Sequence, residues 1–504
     1  MLFNSLGFLI FFPIVVLIYF IFPVKCKRAR NFWLLVSSYY FYMCWNAKYA
    51  LLLLGSTMVT YFSGLLIQKF RNAENDAEQD EKNKSGALWA KMIVVFSIVL
   101  NIGALFAFKY LDFFVQNLIK VFSKIGVEIW IEPFSILLPV GISFYIFQAM
   151  GYVVDVYRGK ICAEKSFLKY AVFVSFFPQL VAGPIERSTN LLKQFEEEHY
   201  FRWENVKNNL LLMGWGFFMK MVIADRIAVF VNKVYGDYNT YGGWYIVIAT
   251  ILFAFQIYCD FAGYSNIAIG AAGVMGFKLM ENFKSPYCAI SVKDFWGRWH
   301  ISLTTWFMDY LYIPLGGNRK GRIRRFVNIM IVFLVSGLWH GAMWSYVLWG
   351  GLNGIYLIAE NLMNGLGDKV NRFVKREAVT NKIAKAIFTF CLVDISWFFF
   401  RTQGIESARN MILKMFEMKN FEIIFDGALY QIMDQRNFMI MLLSIVLLMI
   451  VDILHTKGIS IRCWLSKQSI WFRWLTYVVM VESILVFGIW GVGYDKSAFI
   501  YFQF

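Results

Sequence analysis

The stretch GWYIVIATILFAFQIYCDFAGYSNIAIGAAGVM, Gly243 to Met275, decides the fold class. A bilayer-spanning helix needs about 20 apolar residues. This run exceeds that length and carries a single carboxylate, Asp260, near its middle. Similar apolar runs recur at 6–23, 31–46, 49–67, 89–109, 134–154, 167–182 and 208–235, then at 327–342, 343–363, 384–400, 436–454 and 470–493. The whole chain of 504 residues is 59% hydrophobic and 16% charged. Soluble domains are roughly 45–50% apolar and about 25% charged. The expected fold class is therefore an all-α polytopic membrane protein. Disorder, a collagen-like fibre and a small disulfide-rich secreted fold are excluded. No internal repeat and no soluble domain interrupts the pattern.

The net charge of +16 is first a topological signal. Lys and Arg collect in cytoplasmic loops, and here they sit in short loops between apolar runs; no nucleic-acid partner is expected. Lys25, Lys27, Arg28 and Arg30 follow the first run, which reads as a retained helix with its N-terminus outside. The polar insert at 68–85 reads as a cytoplasmic loop. Arg319, Lys320, Arg322, Arg324 and Arg325 form one basic cluster, residues 368–385 a second, and Lys457, Arg462 and Lys467 a third. Counting spans between these three keeps them on one side. The seven Cys are scattered without CxxC or metal-ligand spacing, so no disulfide framework and no metal site is expected.

Polar residues inside such runs are costly and point to a functional site or a buried partner. Four stretches stand out. In FFPQLVAGPIER (176–187), Pro178 and Gly183-Pro184 break a helix at membrane depth. This is either a helix end at the interface or broken backbone packed in protein. In QIYCDFAGYSN (256–266), Asp260 and Tyr264 share a helix face, beside a cavity or in an interhelical hydrogen bond. In DFWGRWHISLTTWFMDY (294–310), Trp299, Leu303, Trp306 and Tyr310 alternate with a polar face of Arg298, Ser302, Thr305 and Asp309. That pattern predicts an amphipathic, interfacial or re-entrant helix. In SGLWHGA (336–342), His340 ends an apolar run with glycines nearby, and is either structural or catalytic.

The chain has four His. His199, beside Glu196, Glu197 and Glu198, reads as solvated, and His455 as interfacial. His300 and His340 stand in suggestive settings. Imidazole accepts a proton near neutral pH, the service an alcohol needs when it attacks an activated acyl group. No GxSxG elbow and no Walker A motif occurs. Lys220 and Asp225, in another apolar run, are placed to pair with each other or with this polar set.

The segments FPQLVAGPIER (177–187), QIYCDFAGYSNIAIG (256–270), DFWGRWHISLTTWFMDYLYIPLGGNR (294–319) and SGLWHGA (336–342), with the weaker WFFFR (397–401), resemble the membrane-bound O-acyltransferase (MBOAT) family. The similarity is strongest to the bacterial branch that O-acetylates exported polysaccharides such as alginate and peptidoglycan. The resemblance implies a ring of about 11–13 transmembrane helices plus re-entrant or interfacial helices around a central tunnel. It implies a single domain over 1–504, with a motif-bearing core at about 135–360 between N-terminal helices (1–134) and C-terminal helices (361–504). His340 matches the family's histidine in the late apolar segment and is expected as general base or essential orienting group, with His300 assisting. Asp260, Tyr264, Asn266, Arg187, Arg298, Asp309, Asn318 and Trp339 are expected to line or brace the tunnel. Arg319, Lys320 and Arg322 either contact the phosphates of a coenzyme A donor or serve topology alone.

The resemblance further implies a multi-pass protein of the bacterial cytoplasmic membrane, acetyl-CoA as acyl donor with no bound cofactor, and a polysaccharide acceptor. It also implies an extracytoplasmic partner of the SGNH-hydrolase type. The related teichoic-acid D-alanyl branch continues after the position of Arg187 with a basic, Tyr/Arg-rich stretch. Ser188–Gln194 (STNLLKQ) departs from it. A transporter or flippase for an acyl donor or glycolipid would explain intramembrane polar groups equally well, and a secretion scaffold would dispense with both histidines.

Overall fold

The computed structural model describes residues 1–75, 80–131, 138–370, 379–417, 421–490 and 500. Among them there are helices and no strands. Seven helices among the described residues are long and apolar enough to cross a membrane: Tyr49–Arg71, Ser85–Lys124, Trp244–Val274, Gly321–His340, Val379–Arg401, Gln435–Thr456 and Ile470–Phe487. Each remaining apolar run also contains helix, but in pieces that are shorter, broken or more polar. Parts of the runs at 134–154 and 470–493, and of the basic segment 368–385, lie outside the described residues. So do residues 76–79 of the polar insert. The rest of that insert corrects the loop expectation, because it extends the two flanking helices. Its Glu, Lys, Gln and Ala content favours helix wherever packing does not decide otherwise.

The chain divides into two compact units, residues 1–210 with 268–280, and residues 211–267 with 281–504. The first holds α1 (Leu6–Ile21), α2 (Lys27–Met43), α3 (Tyr49–Asn75), α4 (Asp80–Leu105), α5 (Leu111–Lys124), α6 (Ile142–Tyr157), α7 (Phe167–Ser175), α8 (Phe177–Leu180) and the start of α9 (Trp203–Phe217). Ser5 caps α1, its hydroxyl accepting from Phe8 N. Helix α6 is apolar on nearly every side and is buried from Ile142 to Val153, as an all-round hydrophobic helix must be.

The proline–glycine break lies inside this unit, and every residue from Phe176 to Glu186 is buried. It is broken backbone packed in protein. The peptide groups freed between α7 and α8 are satisfied by side chains. Gln148 Nε2 and Gln179 Nε2 both donate to Phe173 O, at 2.6 and 3.0 Å. Phe177 N donates to Ser38 Oγ at 3.0 Å. A Cβ at Gly183 would stand 2.4 Å from Gln179 Cα, so the return of the chain needs glycine there. Irregular backbone at membrane depth is tolerated under these conditions.

His199 corrects another expectation. It is buried, not solvated: Nε2 lies 2.8 Å from Gln194 O, its carbonyl accepts from the buried Arg30 Nη1 at 2.7 Å, and its ring packs on Phe277. The neighbouring glutamates suggested solvent, but the chain folds the imidazole onto Gly276, where a Cβ would stand 2.7 Å from His199 Nδ1.

The second unit holds the rest of α9, α10 (Asp225–Gly236), most of α11 (Trp244–Val274), α12 (Val292–Arg298), α13 (Ile301–Phe307), α14 (Gly321–His340), α15 (Trp344–Val370), α16 (Val379–Arg401), α17 (Ile405–Phe416), α18 (Gln435–Thr456), α19 (Ile461–Ser466) and α20 (Ile470–Phe487). A wider π-helical segment, Phe218–Ala224, joins α9 to α10. Helices α9 and α11 cross in close contact: a Cβ at Gly216 would be 2.6 Å from Gly263 O, and one at Gly263 would be 2.8 Å from Gly216 O. Helices α14 and α15 form a tight hairpin, where a Cβ at Gly337 would meet Tyr346 O at 2.3 Å and one at Gly350 would meet Phe333 O at 2.3 Å. Small residues at such crossings bring backbones together where lipid supplies no hydrophobic drive.

Candidate functional site

The predicted amphipathic helix over 294–310 is broken at Trp299-His300. Trp299 is extended, at φ −100° and ψ 128°, and His300 is left-handed, at φ 43° and ψ 53°. A left-handed non-glycine residue costs on the order of 1–3 kcal/mol and persists where its surroundings over-determine it. Here they do. Lys284 N donates to Arg298 O, and Ile301 N donates to Asn282 O, both at 3.0 Å, so residues 282–284 hold the break from both sides. The break separates the expected polar face. Arg298 stays on α12 with its guanidinium 2.7 Å from Asp294 Oδ1, while Ser302 is wholly buried on α13. Asp309 lies half-buried in a π-helical turn, Met308–Tyr312.

His300 is 1% exposed. Its Nδ1 lies 3.1 Å from Asn282 Oδ1, and its ring meets Phe261 edge-on at 4.6 Å. It stands outside the seven candidate spans, and burial pushes its imidazole pKa well down, so the ring is neutral at physiological pH. His340, the last residue of α14, is 4% exposed and enclosed by rings. Trp339, Trp349 and Phe400 meet it edge to face at 4.9, 5.0 and 5.3 Å between centroids. Trp339 also packs on His300 at 5.9 Å. One tryptophan thus touches both histidines.

Asp260 and Tyr264 are buried on α11. Asp260 Oδ1 is 2.6 Å from Lys220 Nζ, which is 2.8 Å from Asp225 Oδ1. Asp260 Oδ2 accepts from Ile500 N at 2.7 Å. Lys220 comes from the π-helical segment, whose wider turn follows the Gly216 crossing. Asn266 is half-buried, its amide 3.6 Å from Met219 Sδ. The same helix meets His300 directly through Phe261, and indirectly through Ser265, whose hydroxyl accepts from Asn282 Nδ2 at 3.2 Å.

Asn318 is exposed and accepts from Tyr312 Oη. Arg319, Lys320, Arg322 and Arg324 are exposed around the start of α14, at the opposite end of that helix from His340. Arg187 belongs to the first unit, half-buried before a π-helical turn at Ser188–Leu192. Beside it, the buried Glu186 accepts from Met280 N and Asn190 Nδ2. No group of three or more His, Cys, Asp or Glu able to hold a metal ion occurs among the described residues.

Sequence reasoning gave no role to five contributors. Asn282 sits in a short polar connection with no periodic signal. Trp349 and Trp397 stack at 5.7 Å, and Phe400 packs on both and on His340. The WFFFR segment was the signal for Trp397 and Phe400, and Trp349 had none. Asp452, within the apolar span α18, accepts from Tyr258 Oη at 3.0 and 3.2 Å. A lone carboxylate in such a run was the available clue.

Two buried histidines, on a broken segment and at the end of a tightly paired helix and joined through Trp339, form the candidate site of this polytopic helical chain. The family model of MBOAT, the membrane-bound O-acyltransferase family, matches residues 160–401. The chain is 36% identical to the probable alginate O-acetylase of Pseudomonas putida, over 84% of this chain and 82% of that protein. It is 33% identical to the peptidoglycan O-acetyltransferase of Helicobacter pylori, over 82% and 80%. Similarity to the teichoic acid D-alanyltransferase of Bacillus subtilis is 26%, over 53% and 70%. The chain belongs to the membrane-bound O-acyltransferase family and is a multi-pass membrane acyltransferase.

Proposed function

We propose that this protein moves an acetyl group from a cytoplasmic thioester, acetyl-CoA, across the bacterial cytoplasmic membrane for O-acetylation of an exported or cell-envelope polysaccharide. The observation that carries the chemistry is His340: a buried imidazole at the end of a candidate span, walled by Trp339, Trp349 and Phe400 and linked to His300 through Trp339. Rings on these sides restrict water, which would otherwise hydrolyse an activated acyl group. In the step, a hydroxyl oxygen attacks the thioester carbonyl carbon. The C–O bond forms, the C–S bond breaks, the hydroxyl proton passes to imidazole, and the departing thiolate takes up a proton. His340 is assigned as the base or as the group that orients the reacting hydroxyl, with His300 assisting.

The acetyl assignment rests on similarity of 33–36% over more than four-fifths of the chain to two polysaccharide O-acetylating relatives. The D-alanyl relative matches over half of it. An extracytoplasmic partner of the SGNH-hydrolase type completes transfer to the sugar in this reading. Arg319, Lys320 and Arg322, exposed together, supply charge for the donor's phosphates.

The test is deletion of the gene, with ester-linked acetate and D-alanine measured on each isolated envelope polymer. Complementation uses the natural chain and His340→Ala. Acetate should disappear from one polymer, return with the natural chain and stay absent with the variant at equal membrane abundance. Loss of D-alanine instead, normal acetate in the variant, or vesicle uptake of intact acetyl-CoA would overturn the reading.

A further inference from the structure

Asn282 makes an unusual number of directional contacts for a residue in the connection 275–285 that follows α11. It is 1% exposed. Its side-chain oxygen lies 3.1 Å from His300 Nδ1, 3.3 Å from Ser302 N and 2.9 Å from Ser302 Oγ. Its side-chain nitrogen lies 3.2 Å from Ser265 Oγ. Its backbone oxygen accepts from Ile301 N. The three residues after the break in the chain, 300, 301 and 302, are thus all bonded to one asparagine.

An amide's oxygen and nitrogen are told apart by their partners. Ser302 N is a backbone N–H and can only donate, so the atom facing it must be the amide oxygen. The same oxygen faces His300 Nδ1. An oxygen without a proton accepts only, so Nδ1 must carry the hydrogen. In the neutral ring that places the lone pair on Nε2. Ser265 closes the argument from the other side, since its hydroxyl accepts the amide N–H.

We infer that Asn282 is a positioning residue that fixes His300 in the Nδ1–H tautomer and so makes Nε2 its basic atom. The inference rests on the proposed acyl transfer only for its catalytic consequence; the tautomer follows from geometry alone. An orienting acceptor on the far ring nitrogen is what a histidine base requires, and the wrong tautomer costs a serine protease about 10⁴ in kcat. The choice of an amide over a carboxylate has its own meaning. A neutral oxygen orients the ring without strongly stabilising imidazolium, so the ring releases its proton readily in the buried setting.

The experiment uses the full chain in lipid nanodiscs with ¹⁵N-labelled histidine. Only four His are present, and His300→Gln identifies the signal by its loss. The natural protein should show a protonated Nδ1 and a pyridine-like Nε2; the reverse pattern overturns the inference. Asn282→Leu should mix the tautomers, and Asn282→Asp should keep Nδ1–H while holding the ring protonated to higher pH. With acetyl-CoA as donor, Asn282→Leu should lower kcat roughly 100-fold or more with KM changed less than about twofold. Asn282→Asp should retain activity with the acid limb of its pH profile moved upward. A single unchanged tautomer in Asn282→Leu, or an unmoved acid limb in Asn282→Asp, also overturns it. If Asn282→Leu does not fold, the natural protein and Asn282→Asp decide. If the tautomer is as stated but His300→Gln transfers acetyl normally, the catalytic role of His300 falls and the orientation stands.

Discussion

Lys220 and Asp260 form an ion pair of 2.6 Å inside the second unit, with side chains only 4% and 2% exposed. The lysine faces Asp225 as well, at 2.8 Å. Removing one partner of a buried pair costs about 3–5 kcal/mol, because the remaining charge keeps its desolvation penalty.

Lys220→Met therefore leaves two buried carboxylates without the cation both face, and should destabilise strongly. Asp260→Asn retains an acceptor for Ile500 N and the Lys220–Asp225 pair, and should cost less. Thermal unfolding of the detergent-solubilised chain, followed by loss of monodisperse protein, ranks the two. Equal midpoints for Lys220→Met and the natural chain would contradict the pairing.

The α14–α15 hairpin predicts an asymmetric response to glycine substitution. A Cβ at Gly337 would stand 2.3 Å from a backbone oxygen, whereas Gly55 on α3 has nothing within 4 Å. Gly337→Ala should destabilise by about 1–3 kcal/mol. It should also lower acetyl transfer, since His340 lies one turn away and a displacement of about 1 Å can cost 10²-fold. Gly55→Ala should be neutral or stabilising by up to about 1 kcal/mol. Parallel stability and acetate assays on both variants check this.

His199 predicts an acid sensitivity in the first unit. Burial, the largest influence, pushes its pKa below the ordinary value, while its bond to the Gln194 carbonyl pulls the other way. A depressed folded pKa means the unfolded chain binds the proton first. Stability is then full above about pH 6.5 and is lost as pH falls below it. His199→Gln should flatten that decline, seen as a smaller drop in unfolding midpoint between about pH 7.5 and 5.5. An identical decline in both proteins would assign the acid sensitivity elsewhere.

The basic residues at the start of α14 predict a donor-specific effect. The triple change Arg319→Gln, Lys320→Gln, Arg322→Gln should raise KM for acetyl-CoA about tenfold, the scale of one lost charge-assisted hydrogen bond. KM for acetyl-pantetheine, which lacks the phosphates, should hold. Equal KM values in natural and altered chains for both donors would leave those residues a topological role only.

Much of this was legible in the sequence, for a physical reason that is local. Apolar length identifies candidate spans residue by residue, and a carboxylate or imidazole within such a run marks itself by its cost. Asp260 and His340 were visible on those grounds, as was the break at Pro178 and Gly183, while His300 stood out in the amphipathic stretch 294–310 that carries the family resemblance. His199 was misread because its neighbours in sequence are charged while its neighbours in space are Phe277 and Gly276. The helix expected over 294–310 failed because periodicity cannot register a single left-handed residue.

The sequence by itself determined that this is a helical membrane protein and marked some of the polar groups it keeps inside, Asp260 and His340 among them. Those follow from transfer free energies that each segment carries alone. The tertiary structure decided which groups meet. It put Trp339 against both histidines, Lys220 between two carboxylates, and Asn282 against His300 across eighteen positions of chain. Such pairings depend on close helix crossings and on hydrogen bonds that must be satisfied where water is absent. No pattern along the chain records them.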